Sequence, residues 1–231
     1  MQKTCVTRVG SNVPPVIARH VSKRYDGDVL ALDDVTVTIE SGELVALLGP
    51  SGCGKSTLLN LLGCIDLPTS GDVLIEDKAT SRLSDDALTL LRRDRIGTIF
   101  QFFNLVPTLT LEENVALPLV LQRCPREEVV ERTMLVMDEV GISHRARSLP
   151  AQLSGGEMQR GAIARAIIHR PAIVLADEPT GNLDSHNGSL VLDQLAALAG
   201  RGQAILMATH SEEAARRAGR RVRMLDGRIL E

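Results

Sequence analysis

A glycine-rich segment at residues 49–56 (GPSGCGKS) constrains the fold more than any other feature of the chain. It follows the apolar run Leu44–Leu48 (LVALL), which has the length of a buried strand, and it precedes an apolar helix predicted over residues 56–63. Glycines let the backbone fold into a concave nest of N–H groups, and a helix N-terminus adds partial positive charge. A strand, a glycine turn and a helix in this order predict a phosphate-binding loop in a parallel α/β fold.

This loop is expected to bind the phosphates of a nucleotide. Lys55 is expected to reach the β- and γ-phosphates, which also places it among the catalytic residues, and the Ser56 hydroxyl is expected to bind Mg²⁺. The residues predicted to contact the nucleotide in this segment are Gly49, Ser51, Gly52, Cys53, Gly54, Lys55, Ser56 and Thr57.

Two carboxylates follow a second apolar strand. Residues 172–176 (AIVLA) form a continuous apolar run, and Asp177 and Glu178 come directly after it. Carboxylates at the C-terminal end of a parallel strand lie at the crevice where such proteins bind ligands. Asp177 is expected to help hold Mg²⁺, and Glu178 to polarise the water that attacks the γ-phosphate. Alone, such a pair is more often a charged strand end, but the phosphate loop upstream favours the catalytic interpretation.

A third segment, residues 153–157 (LSGGE), has two compatible interpretations. Ser154 and Glu157 have the spacing of a capping box at the start of an apolar helix. Gly155 and Gly156 at that helix start also give an anion site suited to phosphate. Two phosphate-binding helix starts far apart in one chain indicate a nucleotide shared between two subunits.

The order of the predicted elements places a helical section inside the sheet. Strands at 16–25, 32–39 and 44–48 come first, residues 84–169 form a mainly helical insertion, and the parallel pattern then returns up to a closing hairpin. Residues 1–15 are predicted to be a flexible tail, and residues 16–231 a single domain. Within the insertion, Met134 and Met137 are expected to pack in the core. Phe102 and Phe103 are either core residues or anchors for a partner protein.

These motifs together resemble the ATP-binding cassette (ABC) ATPases, from about residue 16 to the end of the chain. The resemblance implies an α/β P-loop fold with a mostly parallel core sheet, an N-terminal antiparallel β-subdomain and an inserted helical subdomain. It implies that Tyr25 stacks on adenine and that Gln101 is a ligand of Mg²⁺ and water. It further implies that Asp184 lies in the D-loop (NLD, residues 182–184) and that His210 is the switch histidine that bonds the γ-phosphate.

Two longer sequence segments resemble one branch of this family in particular. Residues 99–119 (IFQFFNLVPTLTLEENVALPL) and 176–185 (ADEPTGNLDS) are similar to ATPases of the MacB/LolD type. Such subunits drive export of macrolides or peptides, or extraction of lipoproteins, through a separate permease. The signature departs from the family pattern at its last position, where Glu157 stands in place of glutamine. Because Ser154, Gly155 and Gly156 bind phosphate in the family, this change leaves the predicted site in place.

The resemblance therefore implies an ATP-hydrolysing subunit that uses ATP and Mg²⁺, forms an ATP-dependent head-to-tail homodimer and binds a transmembrane permease at the inner face of the cytoplasmic membrane. No apolar run has the roughly 18 residues that crossing a bilayer requires, so the permease is expected to be another chain. A net charge of −3 gives no basic surface for nucleic acid. A soluble ABC ATPase acting in translation or DNA repair is the alternative, and a P-loop kinase is a third, which would need an acceptor site.

Overall fold

The computed structural model describes residues 13–230. The predicted flexible tail, residues 1–15, falls mainly on residues 1–12, which lie outside the described residues. The strands are β1 (Val16–Tyr25), β2 (Val29–Ile39), β3 (Leu44–Leu48), β4 (Ser70–Ile75), β5 (Lys78–Ala79), β6 (Ile96–Ile99), β7 (Ile173–Asp177), β8 (Ala204–Thr209), β9 (Arg220–Leu225) and β10 (Arg228–Leu230). The α-helices are α1 (Lys55–Leu62), α2 (Asp85–Arg95), α3 (Leu111–Leu121), α4 (Arg126–Glu139), α5 (Gly155–Ile167), α6 (Ser185–Gly200) and α7 (Glu212–Arg217).

The strands form two sheets. The N-terminal sheet has the order β2-β1-β4-β5, and its neighbouring strands are antiparallel. The core sheet has the order β10-β9-β3-β8-β7-β6, in which only the edge strand β10 runs antiparallel to its neighbour. In the core sheet, Leu48 pairs with Thr209 and Asp177 pairs with Ala208. The ends of β3, β7 and β8 therefore lie side by side, and the segments that follow them meet at one edge.

The core sheet is buried on both faces, which explains why its strands read as continuous apolar runs. Along β3, Val45 and Leu47 belong to one hydrophobic cluster, with α1 and the antiparallel sheet. Leu44, Ala46 and Leu48 belong to the other cluster, with α3, α4, α5 and α6. The loop after β3 is thus carried by a strand that is packed from both sides.

Some elements differ from the sequence-based expectations. Strand β4 (SGDVLI) was not predicted, because Gly71 and Asp72 interrupt its apolar pattern. Helix α6 begins at Ser185, four residues before the expected residue 189, because the Asp184 side chain caps it by accepting from Asn187 N. Met137 is buried as expected, but the core assignment is wrong for Met134, which remains partly exposed on α4.

The predicted helical insertion, residues 84–169, contains α2 to α5, and also β6, which lies at the edge of the core sheet beside β7. Helix α3 packs against α4 and α5, and α5 also contacts β6 and α6. Within residues 13–230, none of the helices combines the length and the apolar character needed to cross a bilayer. The limits of the insertion as a subdomain stay a prediction.

Candidate functional site

The loop between β3 and α1 is held in a conformation that its glycines require. Gly54 has φ of +107° and Gly52 has φ of +81°, in the left-handed region that disfavours other residues. A Cβ on Gly54 would lie 2.7 Å from the carbonyl oxygen of Ala31, and one on Gly49 would lie 2.3 Å from the carbonyl oxygen of Met224. The loop therefore packs closely against β2 and β9, and its backbone path depends on glycine at positions 49 and 54.

The Lys55 side chain folds back onto the loop that precedes it. Its Nζ donates to the carbonyl oxygens of Gly49 (2.7 Å) and Pro50 (2.9 Å). Ser56 stays exposed at the start of α1, in agreement with a ligand-binding role. The Cys53 side chain is only 4% exposed and packs in the hydrophobic core, so Cys53 can serve a phosphate through its backbone alone.

Asp177, at the end of β7, lies close to the loop between β3 and α1. Its carboxyl lies close enough to the Ser56 hydroxyl, Lys55 and Glu178 for all three to affect its pKa. Burial raises the pKa of Asp177, the neighbouring charge of Glu178 raises it further, and Lys55 and Ser56 oppose the rise only in part. The sequence-predicted residues of both segments are thus brought into one cluster.

This cluster suits Mg²⁺ in its donor chemistry. Mg²⁺ prefers oxygen ligands and is usually held by one or two carboxylates together with phosphate oxygens and waters. The Ser56 hydroxyl and the Asp177 carboxylate provide two such oxygens next to the phosphate loop. The residues present therefore fit a metal that is bound jointly with phosphates.

Glu178 is held by the end of β8. His210 Nδ1 lies 2.7 Å from Oε1 of Glu178, and Thr209 Oγ1 donates to Oε2 at 3.1 Å. The Glu178 side chain is 17% exposed, whereas the His210 ring is largely in solvent. The Glu178 backbone has φ of +45°, which is unusual for a residue other than glycine, and its N–H donates to the carbonyl of Ala208 at 2.9 Å. The structure thus places the two predicted catalytic residues Glu178 and His210 in direct contact.

Tyr25 lies at the end of β1 and is 41% exposed. Its hydroxyl donates to Asp66 Oδ2 at 3.2 Å, and Lys23 Nζ lies 4.9 Å from the ring centroid. Lys23 also bonds Asp66 Oδ1 at 2.6 Å, so the three side chains form one network. Because the lysine covers one face of the ring, the opposite face is the one left for an adenine base.

Gln101 is joined to the segment that was predicted to be the D-loop. Its carbonyl oxygen accepts from Asn182 Nδ2 at 3.0 Å, and its Nε2 lies 3.4 Å from Asn182 Oδ1. A Cβ on Gly181 would approach Gln101 Nε2 to 2.7 Å, so a side chain at this position would require the Gln101 side chain to move. Among the described residues no hydrogen bond links Gln101 to Ser56 or Asp177, and its role as a metal ligand stays a prediction.

The start of α5 confirms the expected capping box. Ser154 Oγ accepts from Glu157 N at 3.3 Å, and Ser154 N donates to Glu157 Oε2 at 2.7 Å. The N–H of Ser154 lowers the pKa of the Glu157 carboxyl, with Arg145 contributing in the same direction. Gly155 follows Ser154 as the first residue of the helix, so the Ser-Gly-Gly segment forms its N-terminus.

The start of α5 lies against the start of α6. A Cβ on Gly156 would lie 2.3 Å from Asn187 Oδ1, so a side chain there would displace the Asn187 side chain. Asn187 in turn donates from N (2.9 Å) and Nδ2 (2.7 Å) to Asp184, and these bonds lower the pKa of Asp184. The signature glycines and the predicted D-loop aspartate are therefore parts of one assembly within the chain.

Sequence reasoning missed the side chains that hold the predicted site in place. These are Thr209, Asn182, Asn187 and Asp66. Thr209 and Asn182 stand next to or within segments that were already singled out, so their polar character at a strand end and in a loop was an available signal. The pairing of Asp66 with Tyr25 joins distant parts of the chain and left no pattern in the sequence.

Comparisons with known proteins agree with this geometry. The family described as ABC transporter matches residues 32–181. An uncharacterized ABC transporter ATP-binding protein of Mycobacterium tuberculosis is 49% identical over 200 residues, which are 86% of this chain and 81% of that protein. The macrolide export ATP-binding/permease protein MacB of Burkholderia thailandensis is 44% identical over 213 residues, covering 91% of this chain but 33% of MacB.

A solved structure matches almost the whole chain. It is a dimeric structure of a post-hydrolysis state of the ATP-binding cassette MJ0796 bound to ADP and Pi. Its TM-score is 0.85 at 41% sequence identity, and the match covers 94% of this chain and 97% of that chain. The predicted fold class, with its antiparallel N-terminal sheet, parallel core sheet and helices, is confirmed. This chain belongs to the ABC transporter family, as an ATP-binding and ATP-hydrolysing subunit related to MacB.

Proposed function

We propose that this chain is the motor subunit of a transporter: two copies bind ATP between them, and its hydrolysis drives a separate membrane-spanning permease. The observation that carries this proposal is that Lys55 and Ser56 in the loop after β3 and Asp177 and Glu178 at the end of β7 meet at one edge of the core sheet, where His210 contacts Glu178. A cation, a hydroxyl and two carboxylates at the mouth of a phosphate loop are the groups that phosphoryl transfer to water requires.

In this proposal the loop amides and Lys55 bind the phosphates. Lys55 exchanges the neutral carbonyl oxygens of Gly49 and Pro50 for charged phosphate oxygens, which make stronger hydrogen bonds. Glu178 accepts a hydrogen bond from the attacking water and orients it, and His210, already in contact with Glu178, fixes the γ-phosphate. Mg²⁺, held by Ser56 and Asp177 with Gln101 as a further candidate, would supply positive charge against the developing negative charge on the phosphates.

A second copy of the chain completes each site. Gly155 and Gly156, directly after Ser154, present N–H groups at the positive end of α5, and this combination suits a γ-phosphate held by the other copy. The solved MJ0796 cassette is itself described as a dimer. ATP would then hold a head-to-tail dimer together, and hydrolysis would release it.

The permease contact is proposed at Phe102. This side chain is 72% exposed, so the alternative of core packing does not apply to it. The next two residues, Phe103 and Asn104, have φ of +61° and +49°, and Arg165 on α5 donates to both of their carbonyl oxygens at 2.8 Å and 2.5 Å. The loop that carries Phe102 is therefore fixed, as a protein-binding anchor requires.

The finer proposal is transport of the MacB/LolD type, at the cytoplasmic membrane. Support comes from the relation to MacB, whose name describes macrolide export by an ATP-binding/permease protein. The match covers 33% of that protein. Macrolides, peptides and lipoproteins are the candidate substrates, and the permease would recognise them.

The first experiment measures ATP hydrolysis by Lys55→Ala. We expect loss of turnover and of ATP affinity, because the phosphates lose the cation of their loop. Lys78→Ala, which removes an exposed lysine from β5, is the matched control and should hydrolyse ATP normally. Near wild-type turnover in Lys55→Ala contradicts the proposed site.

The second experiment measures dimerisation by gel filtration in ATP and Mg²⁺. Glu178→Gln should elute as a dimer, because unhydrolysed ATP remains between the copies. Adding Ser154→Arg should return it to a monomer, whereas adding Ser41→Arg, in the exposed turn before β3, should not. A dimer that withstands Ser154→Arg would place the interface elsewhere.

A further inference from the structure

We propose that Gln159 is a positioning residue: its buried side chain holds the loop that carries Glu178 and ties that loop to helix α5. The inference rests on the proposed function, because it assigns Glu178 to hydrolysis and the start of α5 to the second ATP. Gln159 itself touches neither the nucleotide segments 49–56 nor the Glu178 carboxylate through any hydrogen bond among the described residues.

The contact is short and fully buried. Gln159 lies on α5 with no exposed surface, and its Nε2 donates to the carbonyl oxygen of Pro179 at 2.7 Å. The other end of the same amide, Oε1, is buried without a hydrogen-bond partner. A buried amide oxygen without a hydrogen-bond partner lowers the stability of the fold. Packing alone therefore does not explain a glutamine at this position. Its hydrogen bond to Pro179 is the contact that gives the side chain a role.

Pro179 is the point at which the catalytic loop can be held. Gly181 N donates to the Glu178 carbonyl at 3.0 Å, which closes a turn with Pro179 at its second position. Proline has no N–H to donate, so its carbonyl is the one backbone group through which this position can be anchored. Glu178, directly before it, has the strained φ of +45°, and such a conformation persists only where the surroundings fix it.

The hydrogen bond from Gln159 joins helix α5 to the loop that carries Glu178. The helix begins at Gly155 with the signature residues and carries Gln159 one turn later. In the proposed dimer, the start of α5 serves the nucleotide of the other copy, while Glu178 serves the nucleotide of its own copy. The bond from Gln159 to Pro179 therefore connects the two ATP sites through a single buried amide.

The experiment compares the full chain with the variant Gln159→Met by steady-state ATP hydrolysis with Mg²⁺. Methionine has a similar length and volume but cannot donate to Pro179. We expect kcat to fall by about tenfold or more, since a small displacement of a catalytic group has effects of this size, with KM for ATP within about twofold of wild type. Should Gln159→Met fail to give a folded protein by thermal melting, Gln159→Ala replaces it with the same expectation.

A matched control separates positioning from stability. Gln194 on α6 also donates from Nε2 to a backbone carbonyl, that of Val140 at 3.0 Å, and its Oε1 is likewise buried without a partner. Gln194→Met should lower the melting temperature by an amount comparable to Gln159→Met and leave kcat within about twofold of wild type. Equal losses of kcat in both variants would show a general effect on the fold and would overturn the proposal.

A double-mutant cycle tests whether Gln159 acts through Glu178. In the Glu178→Gln background, Gln159→Met should cause no further loss in single-turnover hydrolysis, because the group that it positions is already absent. Additive losses, or unchanged kcat in Gln159→Met alone, overturn the inference. Wild-type protein without any ATPase activity would instead contradict the proposed function, so the two failures are distinguishable.

Discussion

At the scale of single residues, two aspartates in different parts of the chain have opposite surroundings. Asp177 is half-buried at the end of β7, beside another carboxylate, and burial is the main reason that its pKa is raised. Asp66 is also partly buried, but hydrogen bonds from Lys23, Leu67 N and Tyr25 outweigh the burial and lower its pKa. One aspartate is therefore destabilising when ionised, and the other is stabilising. The first arrangement is typical of a site that is kept for a ligand.

This difference predicts opposite effects of two conservative changes on stability. Since folding raises the pKa of Asp177, its contribution to stability is lost as pH rises through the folded-state pKa, and above that pKa the ionised carboxylate destabilises the fold. Asp177→Asn should raise the melting temperature of the nucleotide-free protein, by roughly 2–4 °C for each kcal/mol removed, while abolishing hydrolysis. Asp66→Asn should lower it. Melting curves at pH 7.5 test both, and a lower melting temperature for Asp177→Asn contradicts this account.

A second prediction concerns the single tyrosine. Tyr25→Leu should raise KM for ATP several-fold and leave kcat near wild type, because stacking on adenine contributes about 1–3 kcal/mol to binding and nothing to the phosphate chemistry. Tyr25→Phe keeps the ring and removes only the bond to Asp66, so it should behave nearly as wild type. Tyr25→Leu with unchanged KM would remove Tyr25 from the base-binding site.

At the scale of elements, two helices begin with the same capping arrangement. Thr110 with Glu113 and Ser154 with Glu157 both form complete capping boxes, at the starts of α3 and α5. The glutamate of α5 also lies 3.1 Å from Arg145 Nε, in a partly exposed ion pair. Glu157 thus combines the capping interaction, which glutamine can also provide, with a charge interaction, which glutamine cannot.

Replacing Glu157 with the glutamine usual in the family separates the two interactions. Glu157→Gln keeps an acceptor for Ser154 N and should cost about 0.2–1 kcal/mol, the value of a partly exposed ion pair. Glu157→Ala also loses the acceptor for Ser154 N, although the bond from the residue-157 N–H to Ser154 Oγ remains, and it should cost about 0.5–1.5 kcal/mol in addition. Urea unfolding measures both, and the loss in Glu157→Gln should shrink in 1 M NaCl. Equal destabilisation by glutamine and alanine would show that the bond from Ser154 N to the residue-157 side chain contributes nothing.

Elements with strong local signals could be predicted from the sequence, and those without such signals could not. The strand β3, the loop after it and the capping box at Ser154 were predicted because their patterns depend on neighbouring residues. Strand β4 was missed because a glycine and an aspartate break its alternation, although pairing with β1 suffices to form it. Met134 shows the converse, since helical periodicity placed it in the core but the residue is 37% exposed on α4.

At the scale of the whole molecule, the parallel core sheet brings the site together. The chain separates Leu48, Asp177 and Thr209 widely, yet β3, β8 and β7 are neighbours and their C-terminal ends coincide. This convergence follows from the fold class, which the sequence predicts. The cross-connections do not follow from it: the pairs Gln101–Asn182 and Gln159–Pro179 depend on side-chain packing between distant segments. Sequence reasoning therefore predicted the chemical groups of the proposed site but not the contacts that hold them.

The measurement that tests the central claim most directly is ATP turnover by Glu178→Gln, with ATP binding measured on the same protein. Glutamine preserves the shape of the side chain and removes its charge. If Glu178 orients and polarises the attacking water, ATP should bind with near wild-type affinity through Lys55 and the loop amides, while turnover falls by about 10²-fold or more. Wild-type turnover in Glu178→Gln would contradict the account, because Glu178 would then have no part in the chemistry.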